Sequence, residues 1–107
     1  MRASLAIGVA LAAALAFPPT LMAAGKTHTV RIEGIKFIPE RIEVAAGDTV
    51  DWVNNDVVPH TVTAAGGSIE SGSIAPEAHW KWTARRAGEI RYICRFHPGM
   101  QGILVVK

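Results

Sequence analysis

Gly88-Glu89-Ile90-Arg91-Tyr92-Ile93-Cys94-Arg95-Phe96-His97-Pro98-Gly99-Met100-Gln101-Gly102-Ile103-Leu104-Val105-Val106-Lys107 reads as two strands and the turn between them. Ile90 and Tyr92 alternate with Glu89 and Arg91, so apolar side chains fall on one face and charged ones on the other. Gly102 to Lys107 is a continuous apolar run, which suits a final strand packed centrally or buried on both sides. The segment between them, stiffened by Pro98, concentrates a thiol, an imidazole and a thioether.

The same alternation recurs toward the N-terminus. Val30 and Ile32 alternate with Thr29, Arg31 and Glu33, and Ile42 and Val44 with Arg41 and Glu43. Val50 and Trp52 alternate with Thr49 and Asp51, and Trp80 and Trp82 with Lys81 and Thr83. Residues 25–107 hold nine Val and nine Ile but one Leu, Leu104, and stiff β-branched side chains favour pleated strands over helices. Turn chemistry separates the runs at Ala46-Gly47-Asp48, Asn54-Asn55-Asp56, Gly66-Gly67, Gly72-Ser73, Ala87-Gly88-Glu89 and Pro98-Gly99. About seven short strands at such spacing describe an all-β sandwich. Gly66 to Glu77 carries no periodicity and fits a short strand, a helical turn or an irregular loop equally well.

Residues 1–24 are of a different kind. They hold 18 apolar residues and a single charge, Arg2. Leu5 to Phe17 is an uncharged apolar run of thirteen residues, followed by Pro18-Pro19 and a stretch ending Ala23-Ala24. This pattern is that of a secretory signal peptide, and the run falls short of the roughly 20 residues that span a bilayer. Cleavage is expected after Ala24 or Ala23, although Met22 or Leu21 at the minus-three position is larger than usual. The expected mature chain, 25–107, is a single domain without a membrane span, exported to the periplasm. Its ten Lys or Arg against nine Asp or Glu leave it nearly neutral, which argues against nucleic-acid binding. A domain of this size buries only roughly 60% of its unfolded surface, so a bound metal would add useful stability.

One cysteine cannot form an internal disulfide, so Cys94 is a buried thiol, an intermolecular link or a reactive thiolate. Its neighbours favour metal chemistry. Cys94, His97 and Met100 lie within seven residues, and Pro59-His60-Thr61-Val62 offers a second imidazole at a strand start. Two imidazoles, a thiolate and a weak axial thioether form the donor set of blue-copper electron-transfer sites. Zinc rarely takes a thioether. His28 and His79 lack such a context and read as surface or edge histidines.

With these residues in place the chain resembles a cupredoxin, and its short C-x-x-H-x-x-M loop is similar to the amicyanin branch of the plastocyanin-like proteins. The matching pieces are Val50-Asp51-Trp52-Val53-Asn54, Pro59-His60-Thr61-Val62, Gly88 to Cys94, His97-Pro98 and Met100-Gln101-Gly102. The resemblance implies an eight-stranded Greek-key sandwich with one type 1 copper ion held by His60, Cys94, His97 and Met100. It implies that Asn54 ties the two ligand-bearing loops together. His97 would be the electron doorway, within an apolar rim of Pro98, Gly99, Phe37, Pro39 and Pro59. Phe96 departs from the amicyanin pattern, which has proline there. An N–H from Phe96 to the thiolate would favour Cu(I) and raise the potential, and Phe96→Pro would lower it.

The function expected on this resemblance is that of a small soluble periplasmic electron carrier, most simply a monomer and not an enzyme. Its partners would be a periplasmic dehydrogenase as donor and a c-type cytochrome or oxidase as acceptor. Arg85, Arg86, Arg91 and Arg95 would bias it toward an acidic partner surface. The alternative is copper delivery or buffering, which predicts Met- or His-rich tracts that this sequence does not contain.

Overall fold

Alternating β-branched residues fold residues 25–107, the part of the chain described by the computed structural model, into eight strands. The segment expected to direct export, 1–24, lies outside the described residues. In chain order the strands are β1 (Thr27–Ile32), β2 (Phe37–Ile38), β3 (Arg41–Val44), β4 (Thr49–Asn54), β5 (Thr63–Ala64), β6 (His79–Thr83), β7 (Gly88–Cys94) and β8 (His97–Val106). They form two four-stranded sheets, ordered β2-β1-β4-β6 and β3-β8-β7-β5. Pairing is antiparallel except for β1 with β4 and β3 with β8, which run parallel.

The faces follow the sequence pattern. Val30, Ile32, Val50 and Trp52 from one sheet meet Ile42, Val44, Tyr92, Leu104 and Val106 from the other in a continuous core. β8 is central, between β3 and β7, and Ile103 and Val105 stay half-buried on its outer side. Aromatic contacts join the sheets. The Trp52 ring stands nearly perpendicular to Tyr92 at 5.6 Å, and Trp52 Nε1 donates to the Tyr92 hydroxyl at 3.3 Å. Burial, partly offset by that bond, pushes the Tyr92 phenol up to about 12. Phe37 packs edge-on to Tyr92 at 4.8 Å. Room for the Tyr92 ring depends on Gly102, where a Cβ would lie 2.3 Å from Tyr92 Cζ.

Residues 66–77 resolve into an irregular path rather than a full strand. Ala65–Gly67 makes a 3-10 turn, and isolated bridges pair Thr63 with Glu70 and His60 with Ile74. Ile69 and Ile74 anchor this stretch in the core. Its apolar residues are too widely spaced for either helical or strand periodicity, which is why the sequence alone left its form open.

Candidate metal centre

β7 ends on Cys94, where the β7–β8 register shifts, and β8 resumes at once with His97 directly opposite. Only Arg95 and Phe96 form the turn. The expected loop is therefore shorter than its sequence suggests, because Pro98, Gly99 and Met100 already belong to β8. Pro98 lacks an N–H but is tolerated at the strand's start. His60 comes from the connection between β4 and β5 and is held by its backbone bridge to Ile74.

These elements bring His60, Cys94 and His97 together, with one potential ligand atom from each within 4.8 Å of the others. His60 Nδ1 lies 3.6 Å and His97 Nδ1 3.8 Å from Cys94 Sγ, and the two imidazole centroids are 5.1 Å apart. His60 and Cys94 are wholly buried, and His97 is half-exposed. Met100 is buried in the same core cluster as Cys94 and, with Ile35 and Gly99, lines a surface cavity of about 280 Å³.

The surrounding bonds orient the donors. Asp56 Oδ2 accepts from His60 Nε2 at 2.8 Å. A carboxylate only accepts, so Nε2 carries a proton, and Nδ1 is the ring nitrogen on the Cys94 side. Asp56 also receives the amides of Gly34 at 2.6 Å and Ile35 at 2.9 Å. Burial alone would raise the Asp56 carboxyl, but the amides of Ile35 and Gly34, and then His60, outweigh it and hold it below the usual value. Cys94 Sγ accepts the Thr61 amide at 3.3 Å, which fixes the sulfur against the His60 segment.

The tie between the two ligand-bearing segments comes from Thr61, not from Asn54. Thr61 Oγ1 accepts the amide of Arg95 at 2.9 Å and lies 2.9 Å from Thr63 Oγ1. Asn54 instead organises the His60 side. Its Nδ2 donates to the carbonyls of Val58 and Ile74, both at 2.9 Å, and its Oδ1 accepts the Asp56 amide. Among the described residues no bond runs from the Phe96 amide to the sulfur, so the expected rise in potential loses that basis.

The rim also differs in detail. Phe37 is buried at 3% exposure because its ring fills the core against Tyr92. The large apolar side chains that are exposed among the described residues are Ile35, Val57, Val58 and Phe96; of these, Ile35 shares a cavity wall with Met100 and Phe96 sits in the turn between Cys94 and His97. Arg95 is paired with Glu70 and Arg91 with Glu89, while Arg85 and Arg86 lie in the β6–β7 turn at the opposite end of the sandwich. His28 and His79 stand apart from the donor cluster, bonded to Asp48 and Asp51 respectively, each at 2.8 Å.

A two-sheet β-sandwich with this cysteine and imidazole set at one end defines a cupredoxin, and the chain belongs to that family: the cupredoxin-like domain model matches residues 4–106. Within it the likeness is to amicyanins. The chain is 34% identical over 83 residues to the amicyanin of Paracoccus versutus, covering 73% of this chain and 63% of that protein's length. The Cu(I) form of an amicyanin mutant superposes with a TM-score of 0.73 at 30% identity, covering 80% of this chain and 87% of that one. A copper-containing nitrite reductase from Thermus scotoductus also superposes, with a TM-score of 0.71 at 28% identity over 76% of this chain, but the match takes in only 22% of the reductase.

Proposed function

We propose that the protein is a small periplasmic electron carrier in which His60, Cys94, His97 and Met100 hold one type 1 copper ion. The observation that carries this reading is the convergence of His60, Cys94 and His97 on one point, with Nδ1 of both rings toward the thiol. Bound copper supplies the one-electron Cu(II)/Cu(I) couple.

The chain's own residues supply rigidity and access. Electron transfer is fastest where the donors barely move between oxidation states. Asp56 fixes the His60 ring, Thr61 clips the two donor segments together, and the β7–β8 ladder sets Cys94 against His97. Half-exposed His97 is the doorway, and the uncharged rim of Ile35, Val58 and Phe96 suits a short-lived contact with the apolar face of a partner. The partners fitting such a carrier are a dehydrogenase as donor and a c-type cytochrome or oxidase as acceptor. Four protein donors leave no position for a substrate, which favours a carrier over an enzyme.

Repeated reduction by ascorbate and oxidation by ferricyanide, with a Cu(I) chelator present, tests this proposal. An electron carrier takes up one electron per molecule in each cycle and keeps its metal. Loss of copper to the chelator on first reduction would replace the carrier reading with copper delivery.

A further inference from the structure

We propose that Ile35 is a contact sensor for the apolar face of a redox partner and that Asp56 relays its position to buried His60. The redox consequence rests on the copper-carrier reading above; the relay itself is a property of the chain.

Ile35 is unusual on two counts. Its side chain is 47% exposed, and its backbone has φ of 58°. A β-branched residue in the left-handed region is strained, so its surroundings must hold it there. Asp56 does so by accepting the amides of both Gly34 and Ile35. Ile35 also shares a cavity wall with Gly99 and Met100, which sets it at the metal end of the sandwich.

One oxygen joins this strained turn to the centre. Asp56 Oδ2 accepts from the Ile35 amide at 2.9 Å and from His60 Nε2 at 2.8 Å. The two donors compete for its charge. If pressure on the Ile35 side chain loosens the first bond, more of the carboxylate's charge serves His60. The imidazole then becomes a stronger donor at Nδ1, which favours Cu(II). His60 is wholly buried and cannot meet a partner itself, so this path gives a docked protein access to it. By linkage, a surface that lowers the potential through Ile35 must bind the oxidised carrier more tightly by the same factor.

A gold electrode coated with a methyl-terminated alkanethiol monolayer serves as the apolar probe. The potential is measured for adsorbed and for dissolved protein in wild type, Ile35→Gly, Asp56→Asn and Val57→Gly. Ile35→Gly suits positive φ and keeps the amide, while Val57 is 90% exposed and its side chain takes no part in the Asp56 bonds. The expected adsorbed-state shift is about threefold to tenfold in the Cu(II)/Cu(I) ratio, tenfold being 59 mV for one electron. It persists in Val57→Gly and disappears in Ile35→Gly and Asp56→Asn. No shift in wild type, or an equal shift in all four proteins, overturns the relay.

A second readout needs no metal. In the metal-free protein the His60 Nε2–H resonance moves when nonionic detergent micelles, a second apolar probe, are added to wild type and to Val57→Gly, and stays in place in Ile35→Gly; an unmoved wild-type resonance, or an equal movement in Ile35→Gly, overturns the relay. Failure of the copper reading is seen separately, as a wild-type protein that develops no thiolate-to-copper band with Cu(II).

Discussion

Thr61→Val removes one hydroxyl and tests how the two donor segments are held together. Thr61 is 3% exposed, and its Oγ1 takes the Arg95 amide at 2.9 Å and sits 2.9 Å from Thr63 Oγ1. Valine keeps the shape and the Thr61 amide to Cys94 Sγ but leaves the Arg95 N–H without its acceptor. Losing that bond costs about 1–2 kcal/mol, and the weaker Thr63 contact adds about 0.5 kcal/mol. A loss of about 2 kcal/mol lowers the Tm of a domain this size by roughly 8–16 °C. Thr61→Ser keeps the hydroxyl and gives up one buried methyl, about 0.8 kcal/mol, so it should fall between wild type and Thr61→Val. Thermal unfolding of the metal-free proteins gives this order directly. Amide hydrogen exchange at Arg95 supplies the specific signature: protected in wild type and Thr61→Ser, fast in Thr61→Val. An Arg95 amide still protected in Thr61→Val, or a serine variant less stable than the valine variant, refutes the clip.

Three further outcomes follow from the same geometry. Gly102→Ala drives a Cβ to 2.3 Å from Tyr92 Cζ and should cost about 1–3 kcal/mol in urea unfolding, with a changed Trp52 fluorescence because the Trp52–Tyr92 bond is disturbed. Asn54→Ala strips the carbonyls of Val58 and Ile74 and the Asp56 amide of their partner, so a loss of about 3 kcal/mol and weaker copper retention are expected from unfolding and chelator competition. Asp48, held at about 2 by the Ala45 amide, His28 and the Lys26 amide, contributes stability that is present above its unfolded value of 3.8 and lost as pH falls toward 2. Urea midpoints between pH 6 and 2 should therefore fall less steeply for Asp48→Asn than for wild type.

How much of this was legible in the sequence depended on how far apart the interacting residues lie. The strands of Val30, Ile42, Val50 and Tyr92 follow from period-two alternation, which is local. Cys94, His97 and Met100 stand close enough in sequence to be read as one donor loop, and His60 stood out beside Pro59 in a strand context. Thr61 escaped notice because its role is a bond to an amide 34 residues away, and a threonine following His60 carries no local sign of that. Asp56 was legible only as part of an Asn-Asn-Asp turn; its bonds to Gly34 and Ile35 lie 22 and 21 residues off. Asn54 was expected to tie the two donor segments together, but its amide reaches only the carbonyls of Val58 and Ile74 on the His60 side, a choice of acceptors that local sequence does not show. Phe37 was placed in the rim by the family resemblance alone; its ring packs edge-on against Tyr92, far away along the chain, and that contact buries it.

The central claim, that His60, Cys94 and His97 with Met100 form a type 1 copper site, is tested most directly by adding one equivalent of Cu(II) to the purified protein. Visible absorption and electron paramagnetic resonance spectra are recorded for wild type and for Cys94→Ser. The expected result is an intense thiolate-to-copper band that bleaches on reduction and is absent from the variant. A pale spectrum with ordinary copper parameters, the same in both proteins, would contradict it.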